Sequence, residues 1–272
     1  MYGTRIRVFL LFIYSFIAIF GFFDLLTIDS LYPLKKLVLG VDSVEREYAQ
    51  WVGNQDVQTD LPILVLAGHA DSQGLDGAGT RGEAVSKHGA KPMSDEITDE
   101  LFWNLLLRDE ITMVGKINGL NINSYDPGVR NIAADNDPRT NWSVGAEHAR
   151  QGGYAIEIHF DSYGRFGAGS GLIPPLFTSL NKVDESLGKS FGRFPLLFRG
   201  GLGAPRRNIR ILEIAKLEGE LETNLRDIET RDKTIRLLAI RVVDAMALGL
   251  GIYHVFNPTP CEKDIFLPAI YL

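Results

Sequence analysis

The chain has 272 residues, 45% of them hydrophobic and 23% charged, which is the composition of a globular enzyme and excludes disordered, fibrous and polytopic membrane classes. A net charge of −6 and the absence of any lysine or arginine run leave no electrostatic footprint for nucleic acid. The single cysteine, Cys261, excludes an internal disulfide and every zinc site built from CxxC pairs, so any metal must be held by His, Asp and Glu.

Arg5 and Arg7 precede an apolar run from Val8 to Phe23 that continues past Asp24 to Ile28. The pattern predicts a hydrophobic helix that serves as a retained signal anchor over residues 1–29, with the remainder of the chain exported. Cleavage of that segment would give a secreted protein instead of one anchored to the inner membrane. Residues 30–60 read as a polar connector with one helical stretch around VDSVEREYAQWV. Residues 61–250 read as the catalytic domain, and 251–272 as a C-terminal tail.

Leu61 to Ala67 is a short apolar run ended by Gly68, which predicts a strand buried on both faces of a parallel sheet, with His69 just beyond its C-terminal end. A glycine-rich stretch follows. Ser94 is then the expected N-cap of a long helix, with apolar residues at 97, 101, 105, 111 and 114 and Gly119 as its terminator. Leu120 to Ile122 is the expected next strand, and NWSVGAEHARQ a second helix stopped by Gly152 and Gly153.

YAIEIHF reads as a strand with His159 at its C-terminal end. Residues 163–208 read as long loops with a helix near KVDESLGKSF; IRILEIA is a third strand carrying Glu213, and a helix beginning RDKTIRLL closes the domain. Strands alternating with helices predict an α/β fold, a mostly parallel twisted sheet flanked by helices. Ligands bind beyond the carboxyl ends of such strands, where His69, His159 and Glu213 all fall. Two histidines and a carboxylate match the ligand inventory of catalytic zinc, and a further carboxylate is needed to move the proton of the attacking water.

At these residues the chain resembles the zinc-dependent N-acetylmuramoyl-L-alanine amidases of the amidase 3 family. ILVLAGH, with Gly68 and His69, is similar to that family's strand into Gly-His. ELFWNL, with Glu100, Asn104 and Leu105, is similar to its Glu-x-x-x-Asn-Leu helix start; EIHFD is similar to its second histidine strand, and ILEIAKLEG to its Leu-x-Glu strand. The resemblance runs from about residue 61 to Gly249. It implies that His69, Glu100 and His159 ligate Zn2+ and that Glu213 is the general acid and base. The implied activity is hydrolysis of the amide between muramic acid and L-alanine in peptidoglycan, with peptidoglycan and, through the N-terminal segment, the membrane as partners of a monomer. Ala70, Asp71 and Asp161 depart from the family pattern of two glycines after the first histidine and an asparagine after the second.

Each residue has a plainer reading. His69 and His159 would serve as satisfied core histidines. Glu83 rivals Glu100 as a metal ligand, although it would break the helix register. Glu157, two residues before His159, is a candidate to orient a ligand, and Arg206 and Arg207 to hold a substrate carboxylate. His88, His148 and His254 read as surface or packing residues. A non-catalytic peptidoglycan-binding or regulatory protein of the same fold is the alternative function. A further one is an NAD(P)-dependent reductase, because Gly77, Gly79 and Gly82 spell GxGxxG, although no strand leads directly into them and the nearest helix expected starts only near Ser94.

Overall fold

The computed structural model describes Arg46 and residues 48–252. The anchor, most of the connector, and the C-terminal tail from residue 253 on, with His254 and Cys261, lie outside the described residues. Among the described residues no helix is long and apolar enough to cross a membrane. Residues 48–52, the described end of the helix expected near Trp51, form a turn and extended chain instead. Trp51 is buried there, and its indole N–H donates to the Phe194 carbonyl at 2.7 Å.

Five strands form one sheet: β1 (Ile63–Ala67), β2 (Ile122–Tyr125), β3 (Tyr154–Asp161), β4 (Gly171–Ile173) and β5 (Arg210–Lys216), in the order β2-β1-β3-β5-β4. Three of the ladders are parallel, and only β4 runs against β5. The expected α/β sheet is therefore present. Every residue of β1 is buried, as is every residue of β3 except Asp161, which is why these strands read as unbroken apolar runs.

Helices cover both faces. They are α1 (Gly82–His88), α2 (Asp99–Ile117), α3 (Asn141–Arg150), α4 (Lys182–Phe191), α5 (Gly203–Arg206), α6 (Gly219–Arg226) and α7 (Arg231–Gly249). Leu64, Leu66, Ala155 and Ile211 pack with Trp142 and Val144 of α3 on one face, while Ala67 meets Leu101 of α2 on the other.

Two boundaries differ from expectation. The N-cap of α2 is Thr98, not Ser94: the Thr98 hydroxyl accepts from the Leu101 N–H, whereas Ser94 accepts from Glu96 in a local turn. Glu100 consequently stands in the first helical turn, where the helix dipole favours a carboxylate. Strand β2 starts only at Ile122, because Leu120 is spent ending α2, its N–H bonding the Gly115 carbonyl beyond the left-handed Gly119.

The strand order reverses at β1. Its forward connection leads to β2 on one side, and β3 is its neighbour on the other. Ligands bind beyond the strand carboxyl ends at such a point, and His69 follows the end of β1 while His159 lies near the end of β3.

Candidate metal centre

His69, Glu100 and His159 each offer one ligand atom, all within 4.8 Å of one another. Glu100 Oε1 lies 3.4 Å from His69 Nε2 and 3.2 Å from His159 Nδ1. Tetrahedral ligands about 2.0–2.1 Å from a zinc-sized ion stand roughly 3.4 Å apart, which the two Glu100–histidine separations match, so the donor set is one that could hold a metal ion. The rings of His69 and His159 meet edge to face at 4.8 Å.

The surrounding chain fixes each donor. Glu100 is buried; its second oxygen, Oε2, accepts from the Thr80 N–H at 2.8 Å, and its own N–H donates to the Thr80 carbonyl at 3.1 Å. This pairing turns Oε1 toward the histidines. Burial works to raise the Glu100 pKa, yet the charge of His69 and the hydrogen bond with His159 hold it well below the usual carboxylate range. Burial opposes protonation of His159, and the Glu100 and Glu157 carboxylates nevertheless raise it well above the usual imidazole value.

His69 has φ 64, a left-handed conformation unusual outside glycine, so the turn that delivers it is strained. Side-chain amides hold that turn. Asn141 donates to the Ala67 carbonyl at 2.7 Å and Asn104, one helical turn beyond Glu100, to the Gly68 carbonyl at 3.2 Å. Gln73 donates to the His69 and Ala78 carbonyls and accepts from the Thr98 N–H, joining the turn, the glycine loop and the α2 cap. Gln73 and Thr80 carry no sequence signal of this role, because their partners are backbone groups of neighbouring loops.

Glu213 sits one strand over, paired with His159 across the β3–β5 ladder. Burial pushes its carboxyl up to about 8. Its Oε2 is buried without a hydrogen-bond partner, as is Nε2 of His159. Nε2 lies 3.6 Å from Glu157 Oε2, so the buried Glu157 backs the histidine on the side away from Glu100.

The remaining candidates make the following contacts. Glu83 is outside the cluster: it pairs with Lys87 at 2.9 Å on α1 and accepts from the Gly219 N–H. Arg206 donates to the Gly200 and Gly201 carbonyls. Arg207 pairs with Asp135 at 2.8 Å and lies over the Trp142 ring. Of the departures from the family pattern, Asp71 accepts from the first N–H of α3 at 2.6 Å. Asp161 gathers the Ser162, Ala168 and Gly169 amides, and Ala70 is buried against Leu101.

Contrary to the expectation that the helix nearest the glycine loop starts only near Ser94, α1 begins at Gly82. The Gly82 amide donates to the Thr80 hydroxyl, and the next two, of Glu83 and Ala84, already donate to the Glu222 carboxylate. The glycine loop serves the histidine site instead: a Cβ on Gly79 would lie 3.0 Å from Glu100 Oε2 and 3.3 Å from the His69 ring. An anion seat for a dinucleotide is thus filled by the protein's own carboxylate.

Gly68 has a sharper requirement. A Cβ there would sit 2.2 Å from Cε1 of His159, inside contact distance. Gly68→Ala is expected to drive the ring out of register and, for a metal ion held by the trio, to weaken binding by about 10-fold to 100-fold, measured by competition with a chromophoric chelator. A dissociation constant equal to that of the parent would show that the close approach is unimportant.

No family model matches the chain, and no curated protein matches it. Solved structures similar to it include the N-acetylmuramoyl-L-alanine amidase AmiC2 of Nostoc punctiforme, 13% identical with a TM-score of 0.41, covering 72% of this chain and 99% of that one. The CwlD amidase from Clostridioides difficile, solved in complex with the GerS lipoprotein, is 16% identical with a TM-score of 0.45, covering 71% and 100%. The N-acetylmuramyl-L-alanine amidase Ami1 from Mycobacterium smegmatis is 15% identical with a TM-score of 0.41, covering 72% and 100%.

Proposed function

We propose that this chain is a zinc-dependent amidohydrolase that cleaves the amide between the lactyl group of N-acetylmuramic acid and L-alanine in peptidoglycan. The observation that carries the reaction class is the His69, Glu100 and His159 trio beside Glu213, whose Oε2 is buried without a hydrogen-bond partner. The substrate rests on the resemblance of the four motifs around these residues to the amidase 3 family.

In this reading His69 Nε2, Glu100 Oε1 and His159 Nδ1 hold the metal, and Thr80 and Glu157 hold the ligands. Bound zinc supplies Lewis acidity to the amide carbonyl and to the attacking water. Glu213 takes the proton of that water at Oε2 and passes it to the departing amine, and its raised pKa suits a group that accepts and donates near neutrality. The same proposal places the domain outside the inner membrane, tethered by residues 1–29, which membrane fractionation would check.

Purified protein is expected to carry about one zinc per chain, and to release soluble fragments from dye-labelled peptidoglycan. EDTA should stop the release and zinc restore it. Mass spectrometry should find a free alanine amine on the released peptide and an intact lactyl carboxylate on the glycan. Release that persists without metal, or cleavage at another bond, would overturn the assignment; zinc loading with wall binding but no release would favour the non-catalytic alternative.

A further inference from the structure

The residue row that crosses the sheet at the height of the site begins and ends in glycine. His159 pairs with Glu213 in the β3–β5 ladder, Glu213 faces Gly171 in the antiparallel β5–β4 ladder, and Gly68 follows the paired Ala67 on the far side of His159. Directly opposed residues project to one face with Cβ positions about 5 Å apart. At Gly68 the vacated space holds the His159 ring. At Gly171 it holds a guanidinium stacked with a ring, because a Cβ there would lie 2.9 Å from Nη1 of Arg46 and 2.9 Å from the Phe194 ring. Arg46 thus shares with Phe194 the place of the side chain next to Glu213, although it comes from the segment ahead of β1.

The guanidinium is held firmly. Nη2 donates to the Ala168 carbonyl at 2.7 Å and the Ser170 carbonyl at 2.8 Å, Nη1 donates to the Arg193 carbonyl at 3.3 Å, and the group stacks 3.6 Å from the Phe194 ring centre. Ala168 and Ser170 lie in the loop that Asp161 gathers and that leads into β4. Burial lowers the Arg46 pKa from the usual arginine value, while the Asp161 and Glu213 carboxylates work in the opposite direction. Arginine keeps its charge in such a setting, and a buried carboxylate without compensating charge is costly.

We propose that Arg46 is a positioning residue for Glu213, holding the β4 approach and a fixed positive charge beside the carboxylate so that the segment ahead of β1 forms part of the working site. The proposal rests on the hydrolase reading above. Arg46 meets no reacting atom and acts through Glu213.

The test uses the full chain and compares Arg46→Met and Arg46→Lys in the parent and in a Glu213→Gln background, with rates expressed per folded, zinc-loaded molecule. Arg46→Met is expected to lower kcat by about 10-fold or more, the scale of a small misplacement of a reacting group, and to leave KM within about 2-fold. Lysine should recover part of the loss, since it keeps the charge without the planar fork that spans three carbonyls. In the Glu213→Gln background Arg46→Met should add no further loss, because the two residues act as one unit.

Equal fold-losses in both backgrounds, or an Arg46→Met enzyme with parental kcat, would overturn the proposal. If Arg46→Met does not fold, Arg46→Lys alone carries the comparison between backgrounds, and parental turnover by it overturns the proposal equally. A parent that loads zinc and releases nothing overturns the hydrolase reading and this proposal together, whereas an active parent with unaffected variants overturns Arg46 alone.

Discussion

Glu213→Gln is expected to lower fragment release by about 10²-fold to 10⁴-fold, the range that a positioned general acid and base supplies, with zinc content unchanged. The side chain keeps its shape and its place in the β5 ladder; it loses only the ability to accept a proton at the buried Oε2. Glu213 is not one of the three residues whose donor atoms cluster, so the metal affinity has no reason to fall. Loss of a group that acts in the transition state appears in kcat and kcat/KM together, with KM little changed. Folding gives a control of opposite sign. A carboxyl pushed up to about 8 by burial stays largely protonated in the fold at neutral pH while the unfolded chain ionises it, which costs stability there, so the neutral amide should melt no lower than the parent. An active Glu213→Gln enzyme would remove Glu213 from the chemistry, and a zinc-free one would move it into the ligand set.

His69, His159 and Glu213 were legible because a buried strand is an apolar run, and a polar residue within it or just beyond its carboxyl end interrupts that run visibly. Glu100 was legible only through the Glu-x-x-x-Asn-Leu resemblance. Propensity alone set the helix start at Ser94, since a hydroxyl ahead of acidic residues is a good cap, and only the extended backbone at Thr98 with its bond to the Leu101 amide decides between the two hydroxyls. Strand β4 could not be read from three residues in a stretch rich in glycine and proline. Helix α1 carries no apolar stripe, and its N-terminus is satisfied by Glu222 from far along the chain.

Arg46 is the least legible residue of the site. Its segment has no periodicity to interpret, and its partners are backbone carbonyls more than a hundred residues away. The glycines at 68 and 171 show the same limit, since each is small because of what fills the space beside it. Local pattern thus reveals which strands carry chemistry, and long-range packing determines which loops and terminal segments hold that chemistry in place.

At the opposite end of the same strands a buried ion pair predicts the largest loss of stability. Asp184, fully buried at the start of α4, accepts from Arg210 Nε at 2.9 Å and Nη2 at 3.2 Å, from the Tyr154 hydroxyl at 2.8 Å and from the Asn181 amide at 2.9 Å. Arg210 also lies over the Tyr154 ring, 4.3 Å from its centre. The cluster thus ties the first residues of β3 and β5 to the capping box of α4. Asp184→Asn leaves the Arg210 charge buried without a counter-ion, which costs about 3–5 kcal/mol, on the order of a 10 °C fall in melting temperature for a domain of this size. The pair itself contributes less than that, because both ions also lose their hydration. Asp184→Asn combined with Arg210→Met is therefore expected to recover much of the loss, by calorimetry or denaturant titration. Tyr154 and His159 are separated by five positions along one strand, about 16 Å, so zinc binding and low-temperature turnover should survive in Asp184→Asn. A melting temperature equal to that of the parent would show that water reaches Arg210, and a double variant no more stable than the single one would show that the hydrogen bonds, not the charge, carry the cluster.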